Sequence, residues 1–386
     1  MKPIDLAFVA GTGPDASGTG ALVAGLLAEA AREPSTRFVH RAMHGRGGLG
    51  VLRDRWDRLA FAWRARRMAA MAEQVVLLHP QTIGFPTFQA VVESRPHVWM
   101  YVLDAFVFCA RSYNCLPGES SPCLRCLGND GAAAVRHGCV DWFRSGPFHA
   151  HLPGWVRSGR LRLLAQCDSQ ARLLRAHFGP AATIRVVPLS VPDVEVPTSA
   201  SARPTRARPL AVFHGTCYPA KGVAHVVSLA HRLPEWDFLV PSAAEDFVRH
   251  FGPTEGLPPN LIFRRQSWDS GLAESVAAAD LVLCPSNWSA PIEGAVLKSL
   301  ATNGLVGLFP HETSFASEVP AEARLDVNPE DWPGTVSRLR AAVADPSVSA
   351  AIRAAARAFV ARHLSVSRGM LAKVKAACAA GQDCAE

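Results

Sequence analysis

DLVLCPSNWSAPIEGAVLKSLATNG, Asp280 to Gly304, opens on an apolar run, breaks at Pro-Ser and resumes with an amphipathic pattern. Leu281–Cys284, bounded by Pro285, reads as a short buried strand. Pro291 suits the first position of a helix, where its missing N–H would have no partner anyway. Strand, polar loop and helix in that order form the repeating unit of a parallel sheet covered by helices. Ser286 and its neighbours Asn287 and Ser289, at the carboxyl end of the strand, suit a hydroxyl-rich or phosphorylated ligand. Glu293 falls in the first helical turn, where the dipole favours a carboxylate. It reads equally as a capping group and as a ligand-binding one. Lys298 lies more than a turn deeper and off Glu293's face.

The same alternation continues on both sides of this segment. Before it, strands are expected at Leu210–His214, Asp237–Val240 and Leu261–Arg264, and after it at Leu305–Phe309. Helices are expected near Gly222–Leu233, Ala243–His250, Ser270–Ala278, Pro333–Val343 and Ser349–Arg362. The first half repeats the pattern, with strands at Asp5–Ala10, Arg37–Arg41, Gln74–His79, His97–Asp104, Leu161–Cys167 and Thr183–Pro188. Its helices fall near Ala21–Arg32, Leu52–Glu73, Pro86–Val92 and Ser169–Phe178. Between the halves, VPDVEVPTSASARPTRARP (Val191–Pro209) has four prolines and no apolar period, which marks a linker.

A chain of 386 residues exceeds what one core usually organises. The expected fold class is α/β: two doubly wound Rossmann-like domains, residues 1–190 and 209–363, joined by a linker at 191–208. They are expected to face each other across a cleft, with ligands at the carboxyl ends of their strands. Residues 364–386 hold a further helical pattern, Ser365–Ala380, expected to return to the first domain.

Three other stretches carry candidate chemistry. GTGPDASGTG, Gly11 to Gly20, follows the first strand and precedes a helix, so Gly18, Thr19 and Gly20 offer backbone amides to an anion. It is not the dinucleotide fingerprint, because four residues separate Gly13 from Gly18. A tight structural turn is the plainer reading. In the second half, AVFHGTCYPAKGV sets Lys221 beside Gly222 at a helix start, well placed to neutralise a diphosphate.

Cys109, Cys115, Cys123 and Cys126 fall within eighteen residues rich in turn formers. That spacing predicts a four-thiol cage around a structural zinc ion in an insertion at about 105–140. An iron–sulfur cluster and thiols that bind no metal are the alternatives, and His137 and Cys139 lie close enough to substitute for a ligand.

Hydrophobic residues at 49% and charged residues at 19% describe a globular chain. The net charge of +7 is uneven: Arg41, Arg46, Arg53, Arg55, Arg58, Arg64, Arg66 and Arg67 are opposed within that segment by Asp54 and Asp57. Trp56, Leu59, Phe61 and Trp63 are interleaved. Such a segment is either a solvated helix face or a contact with an anionic membrane surface. Nucleic acid is not expected, for want of a recognition motif and of regularly spaced stacking aromatics. No apolar run reaches bilayer-spanning length, so the expected location is cytoplasmic, with the inner membrane face as its periphery.

These stretches together resemble the retaining GT-B glycosyltransferases of the family-four type. The matching features are the Gly-rich first turn, the -Gly-x5-Lys-Gly- turn at Gly215–Gly222, the Pro-Ser loop, and the helix ending -Leu-Ala-x-x-Gly- at Gly304. The passage Cys167–Asp193 resembles that family's end of the first domain. LDAFVFCARSYNCLPGESSPCLRCL resembles a cysteine-rich insertion that some members carry.

The resemblance implies a nucleotide-diphosphate sugar donor, a glycan or lipid-linked acceptor, retention of configuration, and no catalytic metal. It assigns Lys221 to the diphosphate and Asp104 to an acceptor hydroxyl or the donor ring. Thr216 stands where the family has a second diphosphate-binding arginine. The family's Glu-x7-Glu falls on Ala290 and Lys298, and its His-Asp becomes Leu103-Asp104. These departures motivate an alternative, a non-catalytic scaffold or glycan-binding partner with a degenerate donor site.

Overall fold

The computed structural model describes residues 4–380 apart from 16, 42–47, 130, 142–143, 192–193, 197–203 and 205. Arg46 and much of the expected linker therefore lie outside the described residues. The chain divides into two compact units. Unit 1 comprises Met1–Tyr113, Leu124–Pro192 and Ser367–Glu386, and unit 2 comprises Asn114–Cys123 and Asp193–Val366.

Unit 1 is built on β1 (Ile4–Ala10), β2 (Thr36–His40), β3 (Ala72–Leu78), β4 (Val98–Tyr101), β5 (Leu161–Ala165) and β6 (Ile184–Val186). All pair in parallel, in the order β2-β1-β3-β4-β5-β6. The apolar runs are nearly continuous because both faces of the sheet are covered. Ala7, Val9, Val75 and Leu77 enter one core, while Leu6, Phe8, Val76 and Leu78 enter the other. Helix α1 (Gly18–Ala30) and the C-terminal helix Met370–Ala379 cover the second face. Glu29 accepts from Leu371 N at 2.9 Å, and Lys375 pairs with Glu33 at 2.9 Å. Helix α2 (Gly48–Met71) contributes Phe61, Ala65 and Ala69 to the first face.

Unit 2 is built on β7 (Leu210–Phe213), β8 (Asp237–Val240), β9 (Leu261–Phe263), β10 (Leu281–Cys284), β11 (Val306–Leu308) and β12 (Leu325–Asp326). Its parallel order is β12-β11-β10-β7-β8-β9. Both sheets are doubly wound. The strand order reverses between β1 and β3 in unit 1 and between β7 and β10 in unit 2. Open parallel sheets bind ligands just beyond the carboxyl ends of the strands at such reversals.

Several elements differ from expectation. Strand β12 has two residues, too few to leave a periodic signal. Helix Gly146–Arg157 has no counterpart among the expected helices, since Gly146, Pro153 and Gly154 disguise its pattern. The C-terminal helical pattern is broken at Gly369, which adopts a left-handed conformation with φ +67°. Residues Asn114–Cys123, expected as part of a first-domain insertion, belong to unit 2.

Candidate functional site

In unit 2, two loops meet at the β7/β10 reversal. After β7 the chain turns through Thr216 and a single 3-10 turn, Pro219–Lys221, then enters helix Val223–Arg232. Gly222 has φ +76°, and a Cβ there would sit 1.8 Å from the Pro285 carbonyl oxygen. Only glycine permits this approach, which lays the lysine loop directly on the Pro-Ser loop. Asn287 N donates to Ala220 O at 3.0 Å, and the Asn287 amide, suitably oriented, donates to the Pro219 and Ala220 carbonyls at 3.0 Å.

The helix after β10 begins at Gly294, not Pro291. Pro291 is buried within the loop, and Glu293 occupies the N-cap position. Hydrogen bonds from outside the loop hold it in a non-helical path. Asn114 and Ser289 bond reciprocally at 2.9 Å, and the Ser289 hydroxyl reaches Thr313 at 2.6 Å. The delay places the Glu293 carboxylate in an ion pair with Lys221. The ammonium of Lys221 also lies 5.2 Å from the Trp288 ring. The two side chains are 21% and 12% exposed, so the pair is shielded from most solvent while keeping an open edge. Ser286 is half-buried in the same loop and Thr216 is exposed.

Lys298 is not part of this pair. Its ammonium lies 4.8 Å from the Trp268 ring, whose plane stacks on His214 at 5.1 Å and 9°. His214 shares a 2.8 Å hydrogen bond with the Ser299 hydroxyl. Burial, then the nearby Lys298 charge, lowers its pKa to about 4, so the ring is neutral near pH 7. The reversal in unit 2 thus carries an ion-paired ammonium and a separate cation–aromatic stack. Trp268, after the short strand β9, has no sequence signal beyond being a tryptophan in a polar loop.

The β1/β3 reversal of unit 1 holds a second group. Ser17 caps α1, accepting from Gly20 N at 3.0 Å, while Ser17 N donates to Asp15 at 2.7 Å. Gly20 is buried against Asp15, so its amide serves the cap, and Gly18 and Thr19 form the first helical positions. Those hydrogen bonds from Ser17 hold the Asp15 carboxyl below its ordinary value.

A Cβ on Gly11 would stand 2.1 Å from Ile83 N, so glycine lets the loop after β3 close over the end of β1. His79 lies in that loop with φ +56°, a strained conformation for a residue with a side chain. Its Nδ1 is 2.7 Å from the Thr82 hydroxyl, and burial lowers its pKa to about 4. Asp104, three residues beyond β4, accepts from Gln81 and from Phe106 N, each at 2.9 Å. Burial raises its carboxyl to about 6, these hydrogen bonds opposing the rise. The structure therefore sets Asp104 beside the segment that follows the neighbouring strand β3 and carries His79 and Gln81. In the sequence His79 is the last residue of a strand followed by proline, with nothing to single it out.

The four thiols of the zinc expectation are divided between the units. Among the described residues no three or more His, Cys, Asp or Glu side chains are grouped to hold a metal. Cys109 and Cys126 belong to unit 1 and pack in its core. Cys115 and Cys123 belong to unit 2, where Cys115 Sγ lies 3.4 Å from the Asn287 amide and Cys123 N donates to Asn114 O at 2.7 Å. Each unit supplies two of the four thiols.

No family model matches the chain, and no curated protein matches it in sequence. Solved structures do. Sucrose-phosphate synthase from Thermosynechococcus elongatus matches with a TM-score of 0.69 and 13% identity, over 98% of this chain and 100% of that one. HepE from Anabaena, in complex with UDP, matches at 0.64 and 14%, over 97% and 100%. A UDP-forming α,α-trehalose-phosphate synthase from Burkholderia vietnamiensis matches at 0.59 and 13%, over 96% and 99%. At such identity the likeness shows the fold, two Rossmann-like domains of the GT-B type. Among the described residues, no helix is long and apolar enough to cross a membrane.

Proposed function

We propose that this chain is a glycosyltransferase that takes a sugar from a nucleotide-diphosphate donor to a hydroxyl of a glycan or lipid-linked acceptor, with retention of configuration. The observation that carries the reading is the Lys221–Glu293 pair at the β7/β10 reversal of unit 2. One protein of similar fold, HepE, has been solved with UDP, with UDP and glucose, and with UDP-glucose, which supports a uridine diphosphate donor. Glu293 restores a carboxylate that the sequence resemblance leaves missing at Ala290, and it does so from the helix N-cap.

In this reading the donor's diphosphate engages Lys221, drawing the ammonium from Glu293. The sugar C1–O bond to the diphosphate then breaks and the acceptor oxygen bonds to C1, its proton leaving with the diphosphate. Lys221 and the amides at the start of helix Gly294–Thr302 meet the charge developing on the leaving group. Glu293, once released, accepts hydrogen bonds from donor hydroxyls. Lys298 and Trp268 provide a cationic and aromatic wall for the nucleotide. In unit 1, Asp104, Gln81 and His79 supply acceptors and donors suited to a polyhydroxylated acceptor.

The test is UDP and GDP release from a panel of UDP- and GDP-sugars, with and without hydroxyl acceptors, followed by the anomeric configuration of any product. Release that persists in chelator and falls at least about 10²-fold in Lys221→Ala is expected, as for loss of one charge-stabilising donor. Binding without release would favour a glycan- or nucleotide-binding scaffold, and near-normal release in Lys221→Ala would remove that residue from the mechanism.

A further inference from the structure

Helix α2 presents a surface that the proposed transfer does not use. Phe61, Ala65 and Ala69 turn inward, while Trp56, Leu59 and Trp63 are 72%, 59% and 60% exposed. Those three stand at i, i+3 and i+7, one continuous stripe along the helix. Large apolar side chains arrayed this way in water signal a partner, whereas scattered ones do not.

The charge around the stripe is strongly one-signed. The helix carries six arginines against two aspartates. Arg53 and Arg64 flank the stripe on one side and Arg55 and Arg66 on the other, all exposed. Arg67 lies 5.2 Å from the Trp63 ring. Asp54 is engaged by Arg41 and, at 2.7 Å, by Arg58, so it offers the flanking arginines little compensation.

Alongside the helix runs a groove of about 560 Å³, bounded by edge strand β2. Arg37, Arg64, Arg67 and His40 supply its polar lining, and Trp63 and Met68 are among its apolar walls. A cationic rim over an apolar floor matches an amphiphile with an anionic head.

We propose that this face of unit 1 docks on an anionic phospholipid surface. Trp56, Leu59 and Trp63 enter the interfacial layer, the flanking arginines meet lipid phosphates, and the groove receives one head group. Tryptophan favours the boundary between water and hydrocarbon, and clustered arginine is drawn to a negative leaflet. An aliphatic side chain between the two tryptophans suits an acyl boundary better than a stack of nucleobases. Nothing in this inference depends on the transfer reaction.

Co-flotation of the full chain with vesicles tests it, using phosphatidylcholine alone and phosphatidylcholine mixed equally with phosphatidylglycerol. Recovery with the anionic vesicles should exceed that with neutral ones by at least about tenfold and fall in high salt. Trp56→Ser/Trp63→Ser and Arg55→Glu/Arg66→Glu should each lower it by about tenfold or more, with unchanged circular dichroism. UDP release in solution should be the same in both double variants as in the parent, so failure here leaves the proposed function standing.

Equal recovery on neutral vesicles, or none on either, would overturn the proposal. So would binding that survives loss of both tryptophans while a polyribonucleotide competes for it, since that marks a general polyanion surface.

Discussion

Asp104 is the residue whose chemistry is most exposed to test. Its folded-state pKa of about 6 stands above the ordinary 3.8 because burial disfavours the charge. Between those values the folded chain holds a proton that the unfolded chain has released. Stability from this group therefore falls as pH rises through that window and stays lower above it. Asp104→Asn should melt higher than the parent above pH 6 and match it below the ordinary carboxylate range, as scanning calorimetry would show. A lower melting temperature for the variant at neutral pH would mean that the hydrogen bonds to Gln81 and Phe106 outweigh the burial cost. His79 acts in the opposite sense: its pKa is lowered to about 4, so its contribution is lost as pH falls from 6.5 toward that value. Lys221 and Asp104 are legible in the sequence as a lysine at a helix start and an acid at a strand end. The pairing of Lys221 with Glu293 is not, because it depends on where the loop gives way to helix.

At the scale of elements, the alternation of strand and helix is readable because buried parallel strands are short continuous apolar runs. Their ends are less readable. The helix expected at Pro291 starts three residues later, where Asn114, Ser289 and Thr313 form hydrogen bonds that hold the preceding loop in a non-helical path. Asn114 is remote in sequence, so no local pattern reports its effect. Gly222 is the hinge of this arrangement. Gly222→Ala combines a left-handed φ with a clash against Pro285 O, and should destabilise unit 2 by more than about 1 kcal/mol. It should also weaken nucleotide binding by moving Lys221. Urea unfolding with parallel titration checks both; an Ala variant as stable as the parent would show that the loop approach is not required. The cysteine spacing is the loudest local signal, and the structure divides those four residues between two units.

For the molecule as a whole, two doubly wound units with different strand orders account for nearly every apolar run in the sequence. The C-terminal helix is integral to unit 1: Met370, Leu371, Val374 and Cys378 complete the core formed by β1, β3 and α1. Val374→Asp should therefore lower the stability of unit 1 by about 3 kcal/mol or more, because it buries an unpaired carboxylate. Loss of amide-exchange protection in β1 and β3 would report this, and unchanged protection would detach the helix from the core.

In the proposed function, the β7/β10 reversal of unit 2 is a nucleotide-diphosphate site organised by Lys221 and Glu293. Calorimetric titration of the full chain with UDP and GDP tests that claim without requiring the acceptor. One diphosphate per chain is expected, with affinity reduced at least about tenfold in Lys221→Ala, as for a lost charge-assisted contact. A correctly folded parent that binds neither nucleotide, or a Lys221→Ala variant that binds as tightly as the parent, would contradict it.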